Sequence, residues 1–189
     1  MRPRVAAIAT LVLLGCGCGG FGASAPTTAA APFSWLDPTS PPSTWHTART
    51  ATGAVLSYPG SWQRIGGDPG SVSAARTGAG GVIVGYLNAT RAVPAEMSAS
   101  WARFRVRHNA EEGDRDVHLI AQARGLRFAA GRGACVIDRY RTTRSAYVEI
   151  ACLVRAPGRP STVIVAAAQG ARWTAEQADL HRAIAAFRT

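Results

Sequence analysis

An antiparallel α+β domain, with about six or seven strands packed by two helices, is the architecture that residues 52–189 predict. Three observations carry it. Strand-like stretches follow one another through turns, without the βα alternation that builds a parallel sheet. Helical periodicity surfaces only after Pro94 and after Thr174. The stretch itself, near 140 residues, is a common size for one domain around one core.

The elements follow in order. Gly53 to Tyr58 reads as a strand closed by the turn Tyr58-Pro59-Gly60, and Trp62 to Ile65 leads into the turn cluster Gly66-Gly67-Asp68-Pro69-Gly70. Ser71 to Arg76 and Gly81 to Asn88 form a hairpin about Thr77-Gly78-Ala79-Gly80. Pro94 suits the first turn of a helix, and Met97, Trp101, Phe104 and His108 recur on one helical face until Gly113-Asp114. Four β-prone stretches follow: Val117 to Arg124, with an extension through Arg132, then Cys135 to Arg141, Ala146 to Arg155 and Ser161 to Ala168. Thr174-Ala175-Glu176-Gln177 has the form of a capping box and opens a last helix with Leu180, Ile184 and Phe187 on one face. The expected order is three strands, a helix, four strands and a helix.

Residues 1–15 carry a different signal. Arg2 and Arg4 precede an apolar run from Val5 to Leu14, the length of a signal-peptide core and far short of the roughly 20 residues that span a bilayer. Leu13-Leu14-Gly15-Cys16 resembles a bacterial lipobox, although Leu14 is bulkier than the usual occupant of its place. The resemblance implies a mature N-terminal Cys16 carrying a thioether-linked diacylglycerol and an N-acyl chain, with the protein held on the extracytoplasmic face of the cell membrane. Cys18 is the poorer candidate, because Gly15 then sits where a large aliphatic belongs. An ordinary secretory signal with an incidental cysteine is the alternative. Residues 16–51, rich in Pro, Ala, Thr and Ser, read as a flexible tether. Phe33, Trp35, Leu36 and Trp45 break that pattern and are expected to dock on the domain.

All 21 basic residues are arginine, a composition matching the coding bias of a high-GC bacterium. The chain carries a formal charge of +10, and cleavage before Cys16 leaves 19 arginines against 11 acids. Such an excess favours anionic lipid or an acidic wall polymer. Export and the absence of a helix-turn-helix, zinc-finger or RNA-binding signature argue against nucleic acid.

Tyr58-Pro59-Gly60-Ser61-Trp62, Gly85-Tyr86-Leu87-Asn88 and the helix running to Glu111-Glu112-Gly113-Asp114-Arg115-Asp116 resemble uncharacterised actinobacterial lipoproteins. More distantly, the element order is similar to the PsbP-like α-β-α sandwich, also found in mycobacterial Lpq-type lipoproteins. The resemblance covers about residues 52 to 189. It implies a binding or scaffolding module and supplies no catalytic motif.

Cys135 and Cys152 form the strongest constellation. With Thr143-Arg144 as a hairpin tip and Thr142/Ser145 as the closing pair, the two cysteines face each other at a non-hydrogen-bonded site. Cα atoms there are about 4.5 Å apart, at the short end of disulfide reach. Export supplies an oxidising compartment. The same register puts Cys135, Ile137, Val148, Ile150, Cys152 and Val154 on one face, and Asp138, Tyr140, Tyr147 and Glu149 on the other. Those four form a candidate binding patch. The alternative is a partly solvated sheet surface whose opposed carboxylates are neutralised by nearby arginines.

Catalytic motifs are not visible. The four histidines form neither His-x-x-x-His nor His-Glu-x-x-His, no Gly-x-Ser-x-Gly elbow occurs, and Gly78, Gly80 and Gly81 lie between strands. The acidic run from Glu111 to Asp116 fits no EF-hand. No metal or cofactor is expected. The leading expectation is a non-catalytic, lipid-anchored envelope module that binds a protein, lipid or wall ligand. The competing one is an extracytoplasmic hydrolase or transferase with a dispersed site around His118, Asp138 and Tyr140.

Overall fold

The computed structural model describes residues 31–189. The signal, Cys16, Cys18 and the first part of the expected tether lie outside the described residues. Seven strands form one antiparallel sheet: β3 (Gln63–Ile65), β4 (Val72–Thr77), β5 (Ile83–Arg91), β6 (Arg115–Phe128), β7 (Gly131–Arg141), β8 (Ala146–Arg155) and β9 (Thr162–Gln169). They lie in the order β3-β4-β5-β9-β8-β7-β6. Short turns explain most neighbours, whereas the β5–β9 pairing closes the sheet between segments more than 70 residues apart. Two further strands, β1 (His46–Arg49) and β2 (Val55–Tyr58), make a separate antiparallel pair.

Alternation along the strands divides the side chains between two helices. Ile150, Cys152, Ile164, Ala166 and Leu87 point to α2 (Trp173–Ala185), whose Leu180 and Ile184 are buried among them with Phe187 just beyond its end. Val136, Ala151, Leu153 and Val163 point to the opposite face, where α1 (Trp101–Glu111) inserts Trp101. The result is an α-β-α sandwich. On the α2 side Gly85 makes room for an indole, since a Cβ there would come within 2.8 Å of the Trp62 ring.

Three sequence expectations need correction. The segment assigned to the tether through residue 51 is part of the domain from residue 31 on. Phe33 and Leu36 are buried in the α2-side core, Trp35 stacks on His181 at 3.8 Å, and β1 pairs with β2 from His46↔Tyr58 to Arg49↔Val55. The side chains of β1 are mostly exposed, so nothing in its composition distinguishes it from tether; pairing with β2 makes it a strand, with Ala48 packed on the core and His46 against Tyr58. The first helix begins at Trp101 instead of just after Pro94. The chain before it turns repeatedly, with Glu96 N–H donating to Val93 O and Ser100 N–H to Met97 O, and Met97 is left exposed. The capping box does not form either. A 3-10 turn at Gly170–Arg172 leads directly into α2, so Thr174 already lies inside the helix and makes no cap. Glu176 instead folds under the helix to meet Arg76 at 2.9 Å and Arg172 at 3.6 Å.

The β7–β8 register pairs Cys135 with Cys152, Asp138 with Glu149 and Tyr140 with Tyr147. The cysteines are joined as a disulfide with Cα atoms 4.1 Å apart, and both are buried in the α2-side core. Thr142 N–H donates to Ser145 O at 2.9 Å and closes the tip. The bridge closes a loop of 18 residues, for which chain entropy gives about 3 kcal/mol. The double substitution Cys135→Ala/Cys152→Ala is expected to lower the unfolding free energy by about that amount in urea titration, and a wild-type chain unfolded under reducing conditions should match it.

Candidate functional site

The polar groups of the β7–β8 hairpin converge beneath α1. Asp138 and Glu149 face each other across the strands, and side-chain atoms of both are sealed from solvent. Two carboxylates this close require a cation or a proton. The cation is Arg105, in the middle of α1. Its Nε donates to Glu149 Oε1 at 2.6 Å and an Nη to Oε2 at 2.9 Å, a two-pronged pairing that suits a planar guanidinium. Burial works against the guanidinium charge, but Glu149 outweighs it, so the pKa of Arg105 is raised. The proton is on Asp138. Burial, reinforced by the Glu149 charge, pushes its carboxyl up to about 8, and neither of its oxygens has a hydrogen-bond partner among the described residues.

The tyrosines complete the cluster from the hairpin tip. Tyr140 donates its hydroxyl to Glu149 Oε2 at 3.3 Å, and burial followed by the Glu149 charge raises its pKa, so the phenol remains a donor. Tyr147 stacks on Tyr140 with centroids 5.8 Å apart and donates to Ile83 O at 2.9 Å. The four residues of the expected patch are therefore neighbours, but they are not one exposed face. Arg105 and Trp101 roof the carboxylates, the latter donating its indole N–H to Ala151 O at 2.9 Å, and only the half-buried tyrosines reach the surface. In sequence Arg105 falls outside the helical face of Met97, Trp101, Phe104 and His108. The opposed Asp138 and Glu149 were the available signal, because a buried like-charge pair calls for a counter-ion from whichever element covers it.

The groups of the competing enzymatic reading are separated. His118 pairs with Arg139 in the β6–β7 ladder, one position from Asp138 and hence on the other side of the sheet. An open depression of about 350 Å³ brings His118 near Asp116, Tyr140 and Tyr147 without Asp138. His108 stacks on Phe104, and His181 sits between Trp35 and Trp173, where burial lowers its pKa. Among the described residues no group of three or more His, Cys, Asp or Glu side chains is placed to hold a metal ion. A mainly apolar concavity runs between α1 and β6. It has a volume of about 690 Å³ and is lined by Val106, Ala110, Val117 and Leu119 together with the charged Arg103, Arg107, Asp114 and Asp116.

Comparison with known proteins places the architecture. No protein-family model matches the chain, and no curated protein matches it in sequence. Among solved structures, it is similar to the cyanobacterial PsbP protein, CyanoP, of Synechocystis sp. PCC 6803, with a TM-score of 0.55 and 16% identity over 79% of this chain and 94% of that one. That likeness shows a PsbP-like fold. The Ran-binding protein Mog1p of Saccharomyces cerevisiae is a weaker neighbour, at a TM-score of 0.43 and 9% identity over 75% of this chain and 87% of that one.

Two outcomes follow from the cluster. Arg105→Met leaves Glu149 buried without its partner and should cost about 3–5 kcal/mol, whereas Arg105→Met/Glu149→Leu should recover much of the loss in the same denaturation assay. Asp138 acts through pH. The folded carboxyl holds its proton up to about 8, but the unfolded one releases it near about 3.9. Its contribution is thus fully present below pH 4 and is lost as pH rises to 8, by up to about 1.4 kcal/mol per pH unit. Asp138→Asn removes that slope, so its advantage over wild type should widen between pH 5 and pH 8 when melting temperatures are compared.

Proposed function

We propose that this chain is a lipid-anchored, non-catalytic module of the bacterial cell envelope, tied to the extracytoplasmic membrane face through Cys16 and acting by binding. The observation that carries the binding reading is how the domain uses its converging ionisable groups. Arg105, Glu149 and Tyr140 are bonded to one another beneath α1 with Asp138 buried beside them, and the apolar concavity between α1 and β6 lies elsewhere. Catalysis by general acid and base needs such groups within reach of a substrate proton. The dispersed alternative also has to unite His118 with Asp138 across a sheet. Support for the anchor comes from the Leu13-Leu14-Gly15-Cys16 run, and a disulfide at Cys135–Cys152 is consistent with export. No helix among the described residues is long and apolar enough to cross a membrane, so an acyl anchor provides an attachment that the domain's helices do not.

The test is fractionation with mass spectrometry of the mature N-terminus. Wild-type protein should sediment with membranes and begin at a diacylglyceryl-modified, N-acylated Cys16, and Cys16→Ser should appear in the detergent-free soluble fraction. Two or more acyl chains suffice for stable attachment. An unmodified N-terminus elsewhere, for instance after Ala31, would overturn the anchor.

A further inference from the structure

The outer edge of the sheet has features that the hairpin cluster does not use. β6 is the longest strand, and among the described residues it pairs on one side only. Its ladder with β7 shifts register three times, and Gly125 takes a positive φ of 71°. One shift falls between Leu119↔Asp138 and Ala121↔Ile137, so Ile120 is a bulged residue. In a regular strand adjacent side chains leave on opposite faces. Here the neighbours Leu119 and Ile120 are 42% and 56% exposed, and Leu119 continues into the apolar groove under α1.

Charge surrounds this apolar pair. The β6–β7 ribbon exposes Arg115, Arg124, Arg127, Arg132, Arg139 and Arg141, against a single exposed acid, Asp116. Asp116 lies 3.9 Å from Arg141, and Arg127 meets Asp37 at 3.0 Å; Arg115, Arg124 and Arg139 have no ion-pair partner among the described residues. A bulged, arginine-lined edge resists pairing with another strand. It suits phosphate, which guanidinium groups bind with two donors at once.

The chain enters the domain beside this edge. Residues 31–37 run against the end of β6, with Phe33 and Leu36 in one core cluster with Leu126 and Phe128, and with Asp37 on Arg127. Fourteen residues lie between Cys16 and Ala31, and the chain from one to the other spans at most roughly 50 Å fully extended. The other sheet edge, β3, lies six strand spacings away, about 29 Å farther. The tether thus enters beside β6 but is long enough to reach either edge, and the exposed Leu119–Ile120 pair with the ribbon arginines selects β6 for the bilayer.

We propose that the outer edge of β6 seats on the anionic lipid surface, with Leu119 and Ile120 entering the headgroup boundary and the ribbon arginines contacting lipid phosphates. The inference rests on the Cys16 anchor for its geometry, but its test is independent of acylation. The mature chain, residues 16–189 with Cys16→Ser, is mixed with vesicles of equal parts phosphatidylglycerol and phosphatidylcholine, and with pure phosphatidylcholine vesicles. Co-sedimentation is expected with the first and not the second, and it should weaken as salt is raised. Arg115→Gln and Arg124→Gln should each reduce binding roughly fivefold. Leu119→Ser/Ile120→Ser should reduce binding at unchanged charge, and its melting temperature verifies that the fold is retained. Should that double variant prove unfolded, the two arginine variants decide. Equal binding to both vesicle types, no binding to either, or wild-type binding by the serine variant or by both arginine variants would overturn the proposal. Retention on isolated cell wall without vesicle binding would assign the surface to a wall polymer and overturn it too. Loss of vesicle binding with an acylated Cys16 in cells refutes this docking surface alone, whereas an unmodified N-terminus refutes the anchor alone.

Discussion

In the β7–β8 hairpin Cys135 lies opposite Cys152, and the register they share propagates through the sheet. A slip of one residue in an antiparallel pair sends every side chain to the wrong face. With this pairing, Ile150 and Val154 join the core under α2, while Ala151, Leu153 and Glu149 face α1. β9 inherits the division through Cys152↔Ile164, and β5 inherits it from β9 through Ala166↔Leu87. A tight tip at Thr142–Ser145 and a covalent bond seven residues down the ladder thus hold the centre of the sandwich in one arrangement.

That arrangement makes a demand on α1. It places Asp138 and Glu149 side by side on a face that must be covered, and taking two like charges out of water is prohibitive unless they are neutralised. The domain meets the demand in two ways, with the Arg105 guanidinium on Glu149 and a proton on Asp138. The ion pair also orients the helix. Trp101 and Arg105 are one turn apart, and each bonds to β8, at Ala151 O and at Glu149. A helix held at those points leaves Val106 and Ala110 turned towards β6, which is how the groove beside Leu119 arises.

The N-terminal segment of the described chain is bound into this scaffold. Phe33 and Leu36 are buried beside Leu126 and Phe128, and Thr39 N–H donates to Ala185 O at the end of α2. The segment is thus tied to both the edge strand and the C-terminal helix. At the far end of the chain Arg188 exchanges backbone hydrogen bonds with Val55, so both ends of the described chain are fastened to the body of the domain.

Local chemistry determined six of the seven strands of the large sheet, the two helices and the β7–β8 register; Gln63–Ile65 reads only as the lead into a turn, and the expected strand ending at Tyr58 pairs outside the large sheet. Alternation, turn residues and the Thr143-Arg144 tip act over a few positions, so they can be read from neighbours in the chain. Tertiary contact decided the rest. β1 has side chains that are mostly exposed and is a strand only because β2 lies beside it. Thr174 has capping chemistry, but the 3-10 turn ahead of it had already started the helix. Arg105 looks in sequence like any other arginine on the polar side of a helix. Its role depends on Glu149, 44 residues away, and the free energy of burying that carboxylate exists only once helix and sheet are in contact.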